Sequence, residues 1–252
     1  MTNTTTFKQF SSLIFGACVM SMLASCGNSS SSGSSSGNKD PYRQPQEELG
    51  ITGRYVVKFK ALNTSVAGIT QAMGKIQVMG DQIAVDMEVK DSPSNTTHAQ
   101  MIYAASECPS EVHDTNQDGF IDPIEASKVL GKVLIPLDGN LNSQLEGIEQ
   151  FPSSNFMGSY KYYKEGVLSS LVADLQAPDA DEKDELGKIG ANEDLKLEGK
   201  VIVIQGVSND TYIPGSVRTF DGVSDRASLA IACGTITRVM IDESETSEEA
   251  QY

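Results

Sequence analysis

The sequence predicts an all-β domain, an antiparallel sandwich or barrel, from three observations. Apolar and polar residues alternate in short runs, Gly, Asn and Asp separate the runs, and only one stretch carries helical spacing. In residues 55–62, Tyr55, Val57, Phe59 and Ala61 fall on one face of a strand. The runs 76–79 and 83–89 flank Gly80-Asp81, a hairpin signal, and Ile83, Val85, Met87 and Val89 oppose Asp86, Glu88 and Lys90. Further strands are expected at 97–104, 132–136, 158–164, 199–206 and 228–240. One short helix is expected at 167–176, where Leu168, Leu171, Val172 and Leu175 recur at helical spacing, and 179–194 reads as an acidic surface loop.

The chain's 252 residues allow one domain of about 150–200 residues plus appendages. Asp and Glu number 34 against 19 Lys and Arg, a formal net charge of −15. That balance excludes nucleic-acid binding through phosphate neutralisation and disfavours unaided adsorption to anionic lipid. It suits cations, above all divalent metals. The two histidines, His98 and His113, are too few for a His-rich zinc, copper or di-iron centre, and leave little room for a Ser-His-Asp triad.

The appendages come first. In residues 1–25, Lys8 precedes an apolar run from Leu13 to Met20, too short to span a membrane but the right length for a signal peptide. The run leads to Leu23-Ala24-Ser25-Cys26, which resembles the bacterial lipobox. That resemblance implies that Cys26 carries a diacylglycerol thioether and becomes the mature N-terminus, with several acyl chains anchoring it firmly. Gly27 stands where an Asp would mark inner-membrane retention, so the expected location is the outer membrane, facing periplasm or surface. Residues 26–49 form a tether; 27–38 are only Gly, Asn and Ser, with a reach of roughly 20 Å. The folded unit is expected over 50–241, and 242–252 reads as an acidic tail.

The sharpest motif spans 114–125, which fits the twelve-residue EF-hand calcium loop. Asp114, Asn116 and Asp118 supply side-chain oxygens at positions one, three and five, and Gly119 at six permits the sharp turn. Phe120 at seven offers its carbonyl and Ile121 at eight pins the loop to the core. Asp122 at nine and Glu125 at twelve complete the oxygens that a Ca²⁺ cofactor needs. No amphipathic helix precedes the loop, 126–130 leaves barely one helical turn after it, and no second loop is read as its partner. Such a loop belongs with extracellular modules that bind at about 10⁻⁴–10⁻³ M, and braces structure rather than signalling.

Four cysteines remain to be assigned. Cys18 leaves with the signal peptide and Cys26 is lipidated, so the domain keeps Cys108 and Cys233. In an exported protein this pair reads most simply as one disulfide, with two buried thiols or an intermolecular bridge as the alternatives.

Around Cys233 the sequence resembles a family. Leu229-Ala230-Ile231-Ala232-Cys233-Gly234-Thr235-Ile236 is similar to the final strand of copper/zinc superoxide dismutases, Thr97 to Tyr103 to their copper-binding strand, and Val201 to Gly206 to their Val-Val-Val-His strand. The same strand signatures occur in chordin-type (CHRD) relatives. The resemblance implies a Greek-key sandwich with Cys108 bonded to Cys233. It places the copper histidines on Met101, Tyr103 and Gln205, none of them imidazole, so it implies the fold without dismutation and no catalytic residue.

The function expected is therefore a non-catalytic, calcium-binding, membrane-anchored envelope lipoprotein with an unidentified envelope or extracellular partner. The alternative is a metal-dependent redox or copper-handling protein using His98, Met101 and carboxylates. A third reading is a carbohydrate- or peptide-binding module with Tyr160, Tyr162 and Tyr163 as a stacking platform, against which alternating tyrosines usually mean packing.

Overall fold

The computed structural model describes residues 53–178 and 188–240. The expected signal peptide, the Cys26 expected to be lipidated, the expected tether, most of the acidic stretch 179–194 and the expected tail lie outside the described residues. The strands are β1 (Gly53–Ala61), β2 (Gln71–Met79), β3 (Gln82–Lys90), β4 (Gln100–Tyr103), β5 (Val133–Pro136), β6 (Tyr160–Val167), β7 (Val201–Gln205) and β8 (Ala230–Val239). The helices are α1 (Thr64–Ala67), α2 (Pro123–Leu130), α3 (Leu168–Gln176) and α4 (Asp225–Ser228).

The strands form one antiparallel sheet in the order β5-β4-β7-β8-β1-β2-β3-β6. The hairpin-connected β1, β2 and β3 are joined by β8, which returns to lie beside β1 in Greek-key order. The sheet curls so that its two halves share a core. Val57, Ile76, Met87 and Tyr162 from one half meet Ile102, Ile135, Ile202 and Ile236 from the other. The all-β sandwich is thus what the chain forms.

The alternation in β3 predicts its faces: Ile83, Val85, Met87 and Val89 are all buried. β7 differs, because Val201-Ile202-Val203-Ile204 has no polar position and all four are fully buried. Ile202 and Ile204 enter the main core, whereas Val201 and Val203 enter a second cluster with Ile121, Ala126, Leu130 and Cys233. Burying each valine contributes about 1.5–3 kcal/mol, so the segment between β4 and β5 must cover that outer face.

The structure corrects several elements. β2 begins five residues before the expected 76, because its inward positions Ala72 and Gly74 are too small to produce an apolar alternation. The expected strand 97–104 narrows to β4, with Thr97 making only an isolated bridge to Ser153. In place of one helix there are four among the described residues. α3 matches the expectation, but α2 runs 8 residues rather than barely one turn, because it starts inside the loop. Pro123 opens it, Asp122 and Glu125 form a reciprocal capping box, and Gly131 ends it.

Cys108 and Cys233 form a disulfide, which ties the segment before the loop to β8 across a sequence separation of 125. In the chain-entropy account, such a link stabilises by roughly 4–5 kcal/mol before any native strain is subtracted. Replacing both cysteines by Ala is expected to lower the unfolding free energy in urea by several kcal/mol. A loss under about 1 kcal/mol, the size of an ordinary substitution, would show that the bridge does not constrain the unfolded chain.

Candidate calcium site

The loop 114–125 is shaped by its own side chains. A 3-10 turn at Glu111–His113, with Ser110 N–H donating to His113 Nδ1 at 3.0 Å, delivers the chain to Asp114. Asp114 accepts from Asp118 N–H (3.2 Å) and Gly119 N–H (2.8 Å), Asn116 Oδ1 from Asp118 N–H (3.0 Å), and Asp118 Oδ1 from Phe120 N–H (2.9 Å). Gly119 has φ +86°, the left-handed turn expected at position six. The side chains at positions one, three and five are thus held by the loop's own N–H groups, with Asn116 exposed and Asp114 and Asp118 half-buried. Phe120 then packs in the main core and Ile121 in the second cluster, anchoring the loop to both.

The far end holds two buried carboxylates. Asp122 is fully buried; its Oδ1 accepts from Glu125 N–H at 2.8 Å and its Oδ2 from Arg218 N–H (3.1 Å) and Nε (3.2 Å). Glu125 Oε1 accepts from Thr115 N–H and its hydroxyl, both 2.7 Å, and from Asn116 N–H at 3.2 Å, while Oε2 accepts from Asp122 N–H at 3.2 Å. Arg218 Nη2 stands 3.8 Å from Glu125. Burial pushes the Glu125 carboxyl up, but the Thr115 hydroxyl and the surrounding N–H groups outweigh it and hold the group below its ordinary value. Among the described residues, no three Asp, Glu, His or Cys side chains converge as a metal-holding group. The donor chemistry nevertheless fits calcium. Four carboxylates and an amide supply hard oxygens; Asp114 Oδ1 and Oδ2 and Asp118 Oδ1 each accept one N–H and keep a lone pair for an ion, whereas Glu125 Oε1 already accepts from three donors. Glu125 would exchange its bonds to Thr115 and Asn116 for a place on the metal.

Two residues outside the motif hold the loop, and sequence reasoning missed both. Asn63, buried at φ +48°, donates from Nδ2 to the carbonyls of Ile121 (3.1 Å) and Ala230 (2.9 Å), and its Oδ1 accepts from Ile121 N–H (2.8 Å). Its carboxamide pairs with both backbone groups of Ile121 as a strand would, and joins them to the start of β8. Arg218 supplies the guanidinium beside Asp122 and Glu125. Both lie far from the loop in sequence; only the left-handed tolerance of an Asn just after a strand hinted at the first.

The positions of the resembled copper ligands also come together. Tyr103 donates to Met101 Sδ at 3.7 Å, and Gln205 Nε2 donates to Tyr103 Oη at 3.4 Å. Burial pushes the Tyr103 hydroxyl up to about 12, so it remains a neutral donor. His98 lies elsewhere, fully buried and stacked on Tyr160 at 5.3 Å between ring centroids. Nδ1 faces the Gln205 carbonyl at 3.0 Å and Nε2 the Pro93 carbonyl at 3.2 Å. Burial pushes this imidazole's pKa down, against the carbonyls that favour the protonated ring. Both ring nitrogens of His98 are thus taken up by backbone carbonyls, while Met101 packs against the second cluster. The tyrosines form no platform either: Tyr160 and Tyr162 face the core and only Tyr163 is exposed.

No protein-family model matches the chain, and no curated protein is similar to it in sequence.

Removing the Asn63 carboxamide strands three buried backbone groups. Asn63→Ala is expected to cost about 2–4 kcal/mol, given about 1–3 kcal/mol for each buried group left without a partner and partial relaxation. Asn63→Gly, which accepts the left-handed backbone without the side chain, should recover only a few tenths. Urea denaturation checks both; equal stability of Asn63→Ala and the parent would remove Asn63 from the account.

Proposed function

We propose that this chain is a non-catalytic, calcium-binding lipoprotein of the bacterial envelope, built on a superoxide dismutase-like or CHRD-like sandwich and anchored through Cys26. One observation carries the reading. The oxygens of Asp114, Asn116 and Asp118, each bonded to the loop's own N–H groups, and the buried carboxylates of Asp122 and Glu125 lie in one inserted loop, pinned to the sheet by Ile121 and Asn63. Calcium would be held by these side chains and the Phe120 carbonyl, and would add counter-charge to the buried Asp122 and Glu125, which face Arg218. Its role is mechanical, because the loop covers the second apolar face of β7.

Several features support the absence of catalysis. The three positions that the resemblance assigns to copper carry a Tyr-Gln-Met hydrogen-bonded group. The copper-handling alternative needs His98 as a ligand, and the contact of both its ring nitrogens with backbone carbonyls weighs against it. A roughly 20 Å tether on an acylated Cys26 would hold the domain near the membrane surface, in reach of an envelope or extracellular partner.

Calcium at about a hundred times Kd is expected to stabilise the protein by roughly 2.7 kcal/mol, or about 5–10 °C in Tm for a domain of this size. Asp114→Ala and Glu125→Ala should lose most of that gain, and a Tm of the parent unmoved by calcium would sink the reading. In the intact cell, Cys26→Ser should shift the protein from the detergent phase to the aqueous phase; unchanged partitioning would overturn the anchor.

A further inference from the structure

The oxygen spacing of the first loop recurs in the chain. Asp138, Asn140 and Asn142 stand at positions one, three and five of a second stretch and Glu149 at twelve, with Ser143 where the first loop has Gly119. This stretch leads from β5 to a 3-10 turn at Ile148–Gln150. It lies against α3, where Ser143 N–H donates to Asp174 Oδ2 at 2.6 Å, and against β6, where Leu141 packs over Gly166.

Asp138 is fully buried. It accepts from the N–H groups of Asn140 and Glu146, each at 3.2 Å, and Lys188 Nζ reaches the same stretch, where it donates to the Ser143 carbonyl. Buried charges are ordinarily paired or bound to metal. Asn140 Nδ2 donates to Glu146 Oε1, which leaves Asn140 Oδ1 as an acceptor. Glu146 Oε2 and Gln150 Oε1 each lie 3.0 Å from the point a Cβ on Gly139 would occupy. The missing side chain at 139 thus keeps open a cradle of oxygens. An independent observation comes from β6. Tyr162 is 5% exposed, its hydroxyl is buried with no hydrogen-bond partner among the described residues, and burial together with the Asp138 charge pushes its pKa up. A buried hydroxyl without a hydrogen-bond partner among the described residues, near a buried carboxylate, leaves a place for a bound species between them.

The geometry points to a second calcium site, formed by Asp138, Asn140, Glu146 and Gln150 over Gly139, with the Tyr162 hydroxyl bonded to a water of the ion's shell. An all-oxygen set carrying two negative charges selects a hard divalent cation. Position nine and Gln150 supply the donors in place of position twelve, because Glu149 folds back over Gly147. The ion would fasten the strap between β5 and β6, the two edge strands of the sheet. This site is independent of the loop 114–125.

Equilibrium dialysis of the folded, disulfide-bonded chain against millimolar calcium tests it, beside terbium emission excited through tyrosine in a sequence with no Trp. The parent is expected to bind two equivalents, and Asp114→Asn, Asp138→Asn and Glu146→Gln one each. Tyr162→Phe should keep both equivalents and lose most of the tyrosine-excited terbium emission. Circular dichroism matching the parent keeps each variant interpretable. The second site is overturned if Asp138→Asn and Glu146→Gln both keep the parent's stoichiometry, or if Asp114→Asn binds none. A parent that binds one ion, removed by Glu146→Gln and not by Asp114→Asn, supports the second site and overturns the first.

Discussion

The central strand of one half-sheet is apolar on both sides, and the rest of the architecture answers that constraint. Val201, Ile202, Val203 and Ile204 leave β7 no face for water. The curl of the sheet covers Ile202 and Ile204; Ile121, Ala126 and Leu130 of the insertion between β4 and β5 pack with Val201 and Val203. That insertion is irregular for most of its length, so it lacks a ladder of backbone hydrogen bonds to fix it. Asn63 provides the missing pairing at Ile121, and the Cys108–Cys233 bridge fixes the insertion's entry to the adjoining strand. Covering the sheet and shaping the loop are therefore one task.

Electrostatics makes the same segment the natural place for a cation. Asp122 and Glu125 are buried with a single guanidinium, that of Arg218, which is half exposed. Burying ionised carboxylates is costly unless hydrogen bonds and counter-charge offset it. Here hydrogen bonds from Thr115, Asn116 and Asp122 supply part of the offset and Arg218 another part. A divalent ion would supply more than one arginine can. In an extracellular setting, where calcium is plentiful, a weak site suffices for that purpose.

How much of this could be read from the sequence depended on whether the cue was local. The alternation of Ile83, Val85, Met87 and Val89 marks β3, and the helical spacing of Leu168, Leu171 and Leu175 marks α3, since each pattern reports its own burial. The first half of β2 was hidden because Ala72 and Gly74 fill inward positions without looking apolar. α2 was under-read because its start overlaps the calcium-loop positions, where Asp122 and Glu125 serve as cap residues as well as candidate ligands. Asn63 and Arg218 act on the loop from 58 and 96 residues away, a relation that exists only after folding. The second oxygen-rich stretch was overlooked because Ser143 breaks the glycine position that makes the first recognisable.

Native-state hydrogen exchange at the Ile121 amide, which donates to Asn63 Oδ1, tests most directly whether calcium braces the cover to the sheet. Calcium is predicted to slow exchange there and across β8 by at least about tenfold, about 1.4 kcal/mol of added protection against local opening. In Glu125→Gln the slowing should vanish. Exchange at Ile121 that is the same with and without calcium in the parent protein would contradict the account.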